Sequence, residues 1–550
     1  MSHINDWNSR RSTVHGTRGM VGASQPLAAQ AGLQVLVRGG NAADAAVATA
    51  AVLAVTEPCS TGLGGDAFVL WYDAATKTVQ TINGSGRAPA ALTLELARGV
   101  ANGKSELPTY HAHTITVPGA CAAWCELHAT HGSGKLSMRD LLADAIYHAR
   151  EGSPVAPITA YFWAGGAKRQ LGNSPGGQEL MIDGRAPRAG ERFRNPGMAA
   201  ALSAIADGGA DAFYRGDIAQ RIAATVQRHG GVLTADDLAA HTSTHDAAIS
   251  AAFGGVRLHE CPPNGQGLTA LLALNTLRQL GADDPARLGE PGTVQRWHVI
   301  IEALRLAFAD ARAHIADPSK VEVPTARLLS DAHTAEQAKR IGEKAMADPR
   351  LGQPERGSET VYFSVVDAAG NAVSMVNSNY MGFGTGIVPD GLGFSLQNRG
   401  HNFSLDAAHP NVLAPGKRPY HTIIPAMLTR DGSGELVASY GVMGGFMQPQ
   451  GHVQVLLNLV LDGMDEQAAL DAPRICIHAE SDLTRGGRIA VEDGVPDAVI
   501  AGLLARGHNV YRVSGAGRAL FGRGQIIRRN ADGVLSGGSD PRADGQVVAW

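Results

Sequence analysis

The chain has little of what marks a disulfide scaffold, a nucleic-acid binder or a membrane protein. Its 550 residues hold five cysteines, Cys59, Cys121, Cys125, Cys261 and Cys476, an odd and scattered set that argues against a disulfide framework and for buried thiols. Cys121 and Cys125 are four apart and can share a helix face, but no His or Cys pair at zinc-ligand spacing completes a site. The formal net charge is −4, with no basic block and no interleaving of aromatic with basic residues. The electrostatic footprint of a nucleic-acid partner is therefore missing. The most apolar run, Ala45 to Val55, stops at Thr56-Glu57-Pro58, short of the ~18 residues of a membrane span. Met1 to Arg11 is polar and lacks an apolar signal core, so a cytoplasmic location is expected. Gly62-Leu63-Gly64-Gly65 lacks the spacing of a dinucleotide loop. His111-Ala112-His113 has no further ligand at usable spacing, so surface or pocket-rim histidines are expected there, and no metal or organic cofactor.

What remains is a core-forming composition, 44% hydrophobic and 18% charged, able to bury a large interior without cross-links. No Pro/Ser-rich or charged linker divides the chain, so one large two-part globule is expected. From Gly19 the pattern reads as a strand, a helix ended by Gly39-Gly40, and an Ala-rich helix capped by Asn41. Phe68 to Tyr72 and Val79 to Ile82 flank the turn Asp73-Ala74-Ala75-Thr76. Ser137 with Asp140, Asn195-Pro196 and Thr234 open further helices. Val294, Trp297, Ile301, Leu304 and Phe308 recur at helical steps until Asp317-Pro318, and that stripe reads as core.

The most informative stretch is Glu359 to Gly386. Thr360 to Asp367 is β-branched, aromatic or small, Ala368-Ala369-Gly370-Asn371 supplies a turn, and Ala372 to Ser378 is extended again: a hairpin. A threonine hydroxyl is a poor nucleophile near neutral pH without a base. Cutting the chain between Glu359 and Thr360 supplies one, because the freed α-amine, with an unperturbed pKa of roughly 7.7–8.0, lies beside its own hydroxyl. The return strand brings Ser378 alongside Thr360 to orient it. Farther on, Gly444 and Gly445 follow a strand and precede a helix expected near Pro449, and their amides can stabilise a tetrahedral oxyanion.

Together with Phe383-Gly384-Thr385-Gly386, Leu396-Gln397-Asn398, Lys417-Arg418-Pro419, Ser539-Asp540-Pro541-Arg542, Gly39-Gly40-Asn41-Ala42, Leu63-Gly64-Gly65 and Ala88-Pro89, these features resemble the γ-glutamyltranspeptidase family over nearly the whole chain. The resemblance implies a four-layer αββα sandwich of the N-terminal-nucleophile hydrolase type, in the α/β (α+β) class. It implies a helix-rich segment 1–359 and a strand-rich segment 360–550, held together as a heterodimer after cleavage at Glu359/Thr360, with pairing of two heterodimers left open. It also implies Thr360 as nucleophile and an oxyanion hole at Gly444 and Gly445.

The pocket departs from the γ-glutamyl pattern. The family's carboxylate-gripping arginine falls on Ser85, with Arg87 two residues later. Its asparagine after the second hairpin strand is Tyr380, its Gln-x-x-Asp is Arg399-Gly400-His401-Asn402, and its serine pair is His421-Thr422. Replacing an acidic side chain by Asn402 removes the attraction for an ammonium group, while Arg399 adds a fixed cation whose donor fork suits a carboxylate. These substitutions resemble the branch that includes oxamate amidohydrolase. The expected partner is a small amide bearing a carboxylate. A γ-glutamyl transferase or glutathione hydrolase with an altered pocket, a cephalosporin or glutaryl acylase, and an uncleaved binding scaffold are the alternatives.

Overall fold

The computed structural model describes residues 11–347, 360–478 and 487–550. Two seven-stranded sheets stack face to face. The middle of one holds Gly19–Ala23, Val361–Asp367, Ala372–Ser378 and Asp66–Asp73, side by side in that order. The middle of the other holds Arg523–Arg529, Leu436–Met443, Ala426–Arg430 and Val256–Glu260. Met20, Phe68, Tyr362, Val376, Met427, Met443 and Ile527 form the apolar layer between the sheets. Helices cover both outer faces, with Ala42–Thr56 on the first sheet and Gly267–Gln279, Val294–His314 and Met447–Val460 on the second. This is the αββα sandwich.

Strand alternation decides which way Thr360 faces. Val361, Phe363 and Val365 pack toward the helices, whereas Tyr362 and Val366 face the opposite sheet. With a period of two, Thr360 shares the inter-sheet face.

The Ala42–Thr56 helix is buried along its whole length, and its small side chains let it lie close on the sheet. Asn41 and Asp44 form a reciprocal cap at its start. Asp367, at the far end of the Thr360 strand, accepts from Ala42 N at 3.0 Å and also closes the hairpin turn through Ala369 N and Asn371 N. Fifteen helical residues span about 22 Å, and seven strand residues about 23 Å. A helix pinned to Asp367 at its start therefore ends at the level of Thr360.

The caps at Ser137, Asn195 and Thr234 are present. The long helix ends at His314, three residues before Asp317-Pro318; Trp297, Ile301 and Leu304 lie in its core cluster. The helix after the paired glycines begins at Met447 rather than near Pro449. His113 is buried rather than at the surface, folded against His111 by the 3-10 turn Ala112–Thr114. Four thiols are buried, but Cys125 is only half-buried. Among the described residues no helix is long and apolar enough to cross a membrane, and no group of three or more His, Cys, Asp or Glu could hold a metal ion.

Candidate active site

The hairpin register pairs Val361 with Asn377, so the next residue back, Thr360, meets Ser378. Their hydroxyl oxygens are 2.9 Å apart and share a hydrogen bond. Ser378 Oγ also accepts from Tyr380 N at 2.9 Å. Tyr380 has φ +77°, a left-handed conformation that costs a side-chain-bearing residue about 1–3 kcal/mol and persists only where its surroundings hold it. Here the ring is held beneath the Arg399 guanidinium, 4.2 Å from ring centroid to Cζ, and its hydroxyl donates to Asn402 Oδ1 at 2.5 Å.

Arg399 is fully buried. Its Nη1 donates to Thr422 Oγ1 at 2.6 Å and its Nη2 reaches Ser378 Oγ at 3.5 Å, while Nε has no hydrogen-bond partner. Burial pulls its pKa down to about 10, against the opposing effects of Tyr380 and Asp66, so it is a cation at neutral pH. Among the described residues no carboxylate lies within ion-pair distance of it. Asn402 uses both ends of its amide, accepting from Tyr380 and donating to Tyr420 O at 3.1 Å.

His421 and Asp66 form a buried pair behind this cluster, Nε2 to Oδ2 2.9 Å. Burial, and then the charge of Arg399, hold the imidazole pKa down to about 3, so His421 is neutral and donates Nε2–H to Asp66. Burial acts to raise the Asp66 pKa, but His421, Arg399 and Gln397 outweigh it and keep the carboxylate charged. Its Oδ1 accepts from Gly86 N, Gly119 N and Gln397 Nε2 at 3.1, 3.2 and 2.9 Å. Asp66, whose charge acts on Arg399, is thus engaged by other partners.

The turn at Gly444 and Gly445 needs glycine, with φ +137° and +58°, and a Cβ on Gly444 would sit 3.1 Å from Gly522 Cα. Gln266 Nε2 bonds both Gly445 O at 2.8 Å and Thr422 O at 2.5 Å, tying this turn to the residue that holds Arg399. Among the described residues neither glycine amide donates a hydrogen bond. Facing-sheet contacts locate the turn relative to Thr360. Ser364 Oγ bonds Ser439 Oγ at 2.6 Å, and a Cβ on Gly441 would run into the Tyr362 ring. Two more residues along both strands bring Thr360 level with Met443, directly before the paired glycines.

Ser85 and Arg87 belong to a different network. Ser85 Oγ donates to Asn83 Oδ1 at 2.6 Å, and its carbonyl accepts from Arg418 Nε at 2.9 Å. Arg87 Nη1 and Arg418 Nη2 both bond Thr242 O at 3.1 Å. Neither Ser85 nor Arg87 bonds Thr360 or Arg399. His401 turns away to Leu107 O at 2.7 Å. Glu359 lies outside the described residues. Asp66 and Gln266, which organise the site from behind, escaped sequence reading. A lone Asp after Gly64-Gly65 and a lone Gln before a helix carry no spacing signal, and only the fold brings them here.

Comparison with known proteins identifies the family. The γ-glutamyltranspeptidase family model matches residues 28–550. The chain is 38% identical over 98% of its length, and 99% of the relative's, to a glutathione hydrolase-like YwrD proenzyme of Bacillus subtilis. It is 35% identical to an oxamate amidohydrolase proenzyme of Klebsiella pneumoniae, covering 97% of this chain and 99% of that one. A crystal structure of a cephalosporin acylase from Bacillus halodurans superposes with a TM-score of 0.87 at 45% identity, covering 98% and 97% of the two chains. The chain belongs to the γ-glutamyltranspeptidase family, and is an enzyme of the self-processing N-terminal-nucleophile hydrolase kind.

Proposed function

We propose that the enzyme hydrolyses a small amide carrying a carboxylate near the scissile carbonyl, with oxamate the first candidate, through an acyl-enzyme on Thr360. One observation carries this reading: Arg399 is a buried cation beside the Thr360–Ser378 pair, and no described carboxylate pairs with it. Burying an unpaired charge is costly, and an anionic substrate group supplies the missing partner.

The reaction starts in the uncleaved chain, where the Thr360 nitrogen is an amide and the residue is fully buried. Attack of Oγ1 on the Glu359 carbonyl transfers that acyl group to oxygen, and hydrolysis of the resulting ester frees the α-amine. The two fragments are then 1–359 and 360–550. In turnover the amine takes the Oγ1 proton as the oxygen attacks the substrate carbonyl, and the Gly444 and Gly445 amides receive the oxyanion. The proton passes to the departing nitrogen. Water then attacks the acyl ester with the same amine as base. Ser378 holds Oγ1, and Tyr380 and Thr422 hold Arg399.

The 45% identity to a cephalosporin acylase supports a second reading, a longer carboxylate-bearing acyl group in the same clamp. Turnover of oxamate, a glutaryl-cephalosporin and a γ-glutamyl anilide, measured side by side, separates the readings. Preference for either of the first two, abolished in Thr360→Ala, supports a clamp for a carboxylate without an α-amine. Preference for the anilide overturns it.

A further inference from the structure

The base in this mechanism is the α-nitrogen of Thr360, and the fold specifies what that nitrogen meets. Asp367 N bonds Asn371 O across the hairpin, so odd-numbered residues of this strand direct their main-chain polar groups toward the Ala372–Ser378 strand. Even-numbered residues direct theirs toward Gly19–Ala23. The unshifted register, Phe363 opposite Ala23 and Ser364 opposite Gly22, therefore aims the Thr360 nitrogen past the end of that strand, at the Ser24–Gln25 segment.

Glu57 stands there. It follows the Ala42–Thr56 helix, which ends at the level of Thr360. Ser24 Oγ donates to its Oε2 at 2.7 Å and Gln25 Nε2 at 3.2 Å. The turn after Glu57 crosses to the other side of Thr360: Asn377 Nδ2 donates to Thr61 Oγ1 at 2.7 Å and Asn379 N to Ser60 O at 3.2 Å. Thr360 is bracketed between the two ends of this turn.

Glu57 is 1% exposed, yet its Oε1 has no hydrogen-bond partner. Among the described residues its one ion-pair partner is Arg523, whose Nη1 lies 3.5 Å from that same Oε1; Arg523 comes from the facing sheet, pairs in register with Met443 and lies over the Phe162 ring.

We infer that Glu57, balanced by Arg523, is a positioning residue that accepts a hydrogen bond from the freed α-amine of Thr360 and turns its lone pair toward Oγ1. This rests on Thr360 being the nucleophile. The helix C-terminus at Thr56 adds to the attraction for a positive group. Burial holds the Glu57 carboxyl above its usual range, against Arg523, Ser24, Gln25 and Ser60, a state that a second cation relieves. Among the described residues the other charges near this corner are Asp544, which bonds Ile158 N and Thr159 N, and Arg399 across Ser378.

The test is the acid limb of kcat/KM against pH, measured on cleaved enzyme with the amide it turns over. Removing the carboxylate in Glu57→Gln moves the limb down by about one pH unit, and removing the cation in Arg523→Met moves it up by a similar amount. Opposite shifts are not what a loss of packing produces. A cleaved, active Glu57→Gln enzyme with the wild-type limb overturns the inference. The crystal structure of the cleaved wild-type enzyme tests it without substitution. The Thr360 nitrogen is expected about 2.7–3.2 Å from a Glu57 oxygen, and a nitrogen turned away from it refutes the role. Turnover by Thr360→Ala would instead defeat the nucleophile assignment, so the two failures are distinguishable.

Discussion

Two buried arginine sites in this molecule are built on opposite plans. Around Arg542 the anions are part of the chain: Nη2 meets Glu492 Oε2 at 2.5 Å and Nη1 meets Asp540 Oδ1 at 3.0 Å. Arg474 and Arg518 complete the same two carboxylates at 2.7 Å each. Although burial acts against the charge, Asp540 and Glu492 raise the Arg542 pKa. Arg399 is equally buried, yet it has hydroxyls and an aromatic face where Arg542 has carboxylates, and its pKa is lowered to about 10. Compensation inside the chain marks an architectural charge. A buried cation left for something else to neutralise marks a place for a ligand.

That contrast can be broken most sharply by removing each arginine in turn. Arg399→Met is expected to lower kcat/KM by roughly a hundredfold or more, because a desolvated charge pair with substrate is worth about 2–5 kcal/mol when truncated. Folding stability should stay within about 1 kcal/mol of wild type, since an uncompensated charge has been replaced by an apolar group. Arg542→Met should do the reverse, destabilising by about 3–5 kcal/mol because Glu492 and Asp540 are left buried with too few cations. Activity per folded molecule should be little changed. Denaturant unfolding and steady-state kinetics on the same preparations check both. Equal destabilisation by the two substitutions would erase the distinction.

Acid sharpens it further. Burial acts to raise the Asp540 pKa, but Arg474 and Arg542 hold it down to about 2, below an unfolded value of about 3.9. Its contribution is present above pH ~4 and is lost as pH falls toward 2. His421 is held neutral by burial and Arg399, with its pKa about 3 against an unfolded value of about 6.5. Below pH ~6.5 the unfolded chain binds a proton that the folded one does not, so stability declines from there toward pH 3. His421→Gln should flatten unfolding free energy between about pH 6 and 4, whereas Arg542→Met should flatten it below about pH 4. The smallest effect is expected from Tyr380→Phe. It removes the bond to Asn402 while keeping the ring under Arg399, costing about 1 kcal/mol and several-fold in kcat/KM.

Much of the frame was legible in the chain. Alternation in Thr360–Asp367, the turn at Gly370-Asn371 and the cap at Asn41 are local features, and local rules find them. The pairing of Thr360 with Ser378 is equally local, because a short hairpin brings the ends of its strands together. The support behind Arg399 was not legible. Asp66 comes from the end of the turn that Glu57 opens and Gln266 from a segment two hundred residues on, each a single polar residue whose meaning appears only when distant strands become neighbours. Ser85 and Arg87 show the converse. The resemblance puts Ser85 where the family's carboxylate-gripping arginine stands, and Arg87, two residues on, is drawn by the Thr242 carbonyl into the Arg418 network.

In the proposed mechanism one scission turns Thr360 into a chain terminus that is both attacker and base. Intact-mass measurement with N-terminal sequencing of active, purified protein tests it most directly. Two fragments are expected, the smaller beginning Thr360-Val361-Tyr362, and a single inactive chain of 57.2 kDa for Thr360→Ala. Full amide turnover by an unbroken 57.2 kDa chain would contradict it.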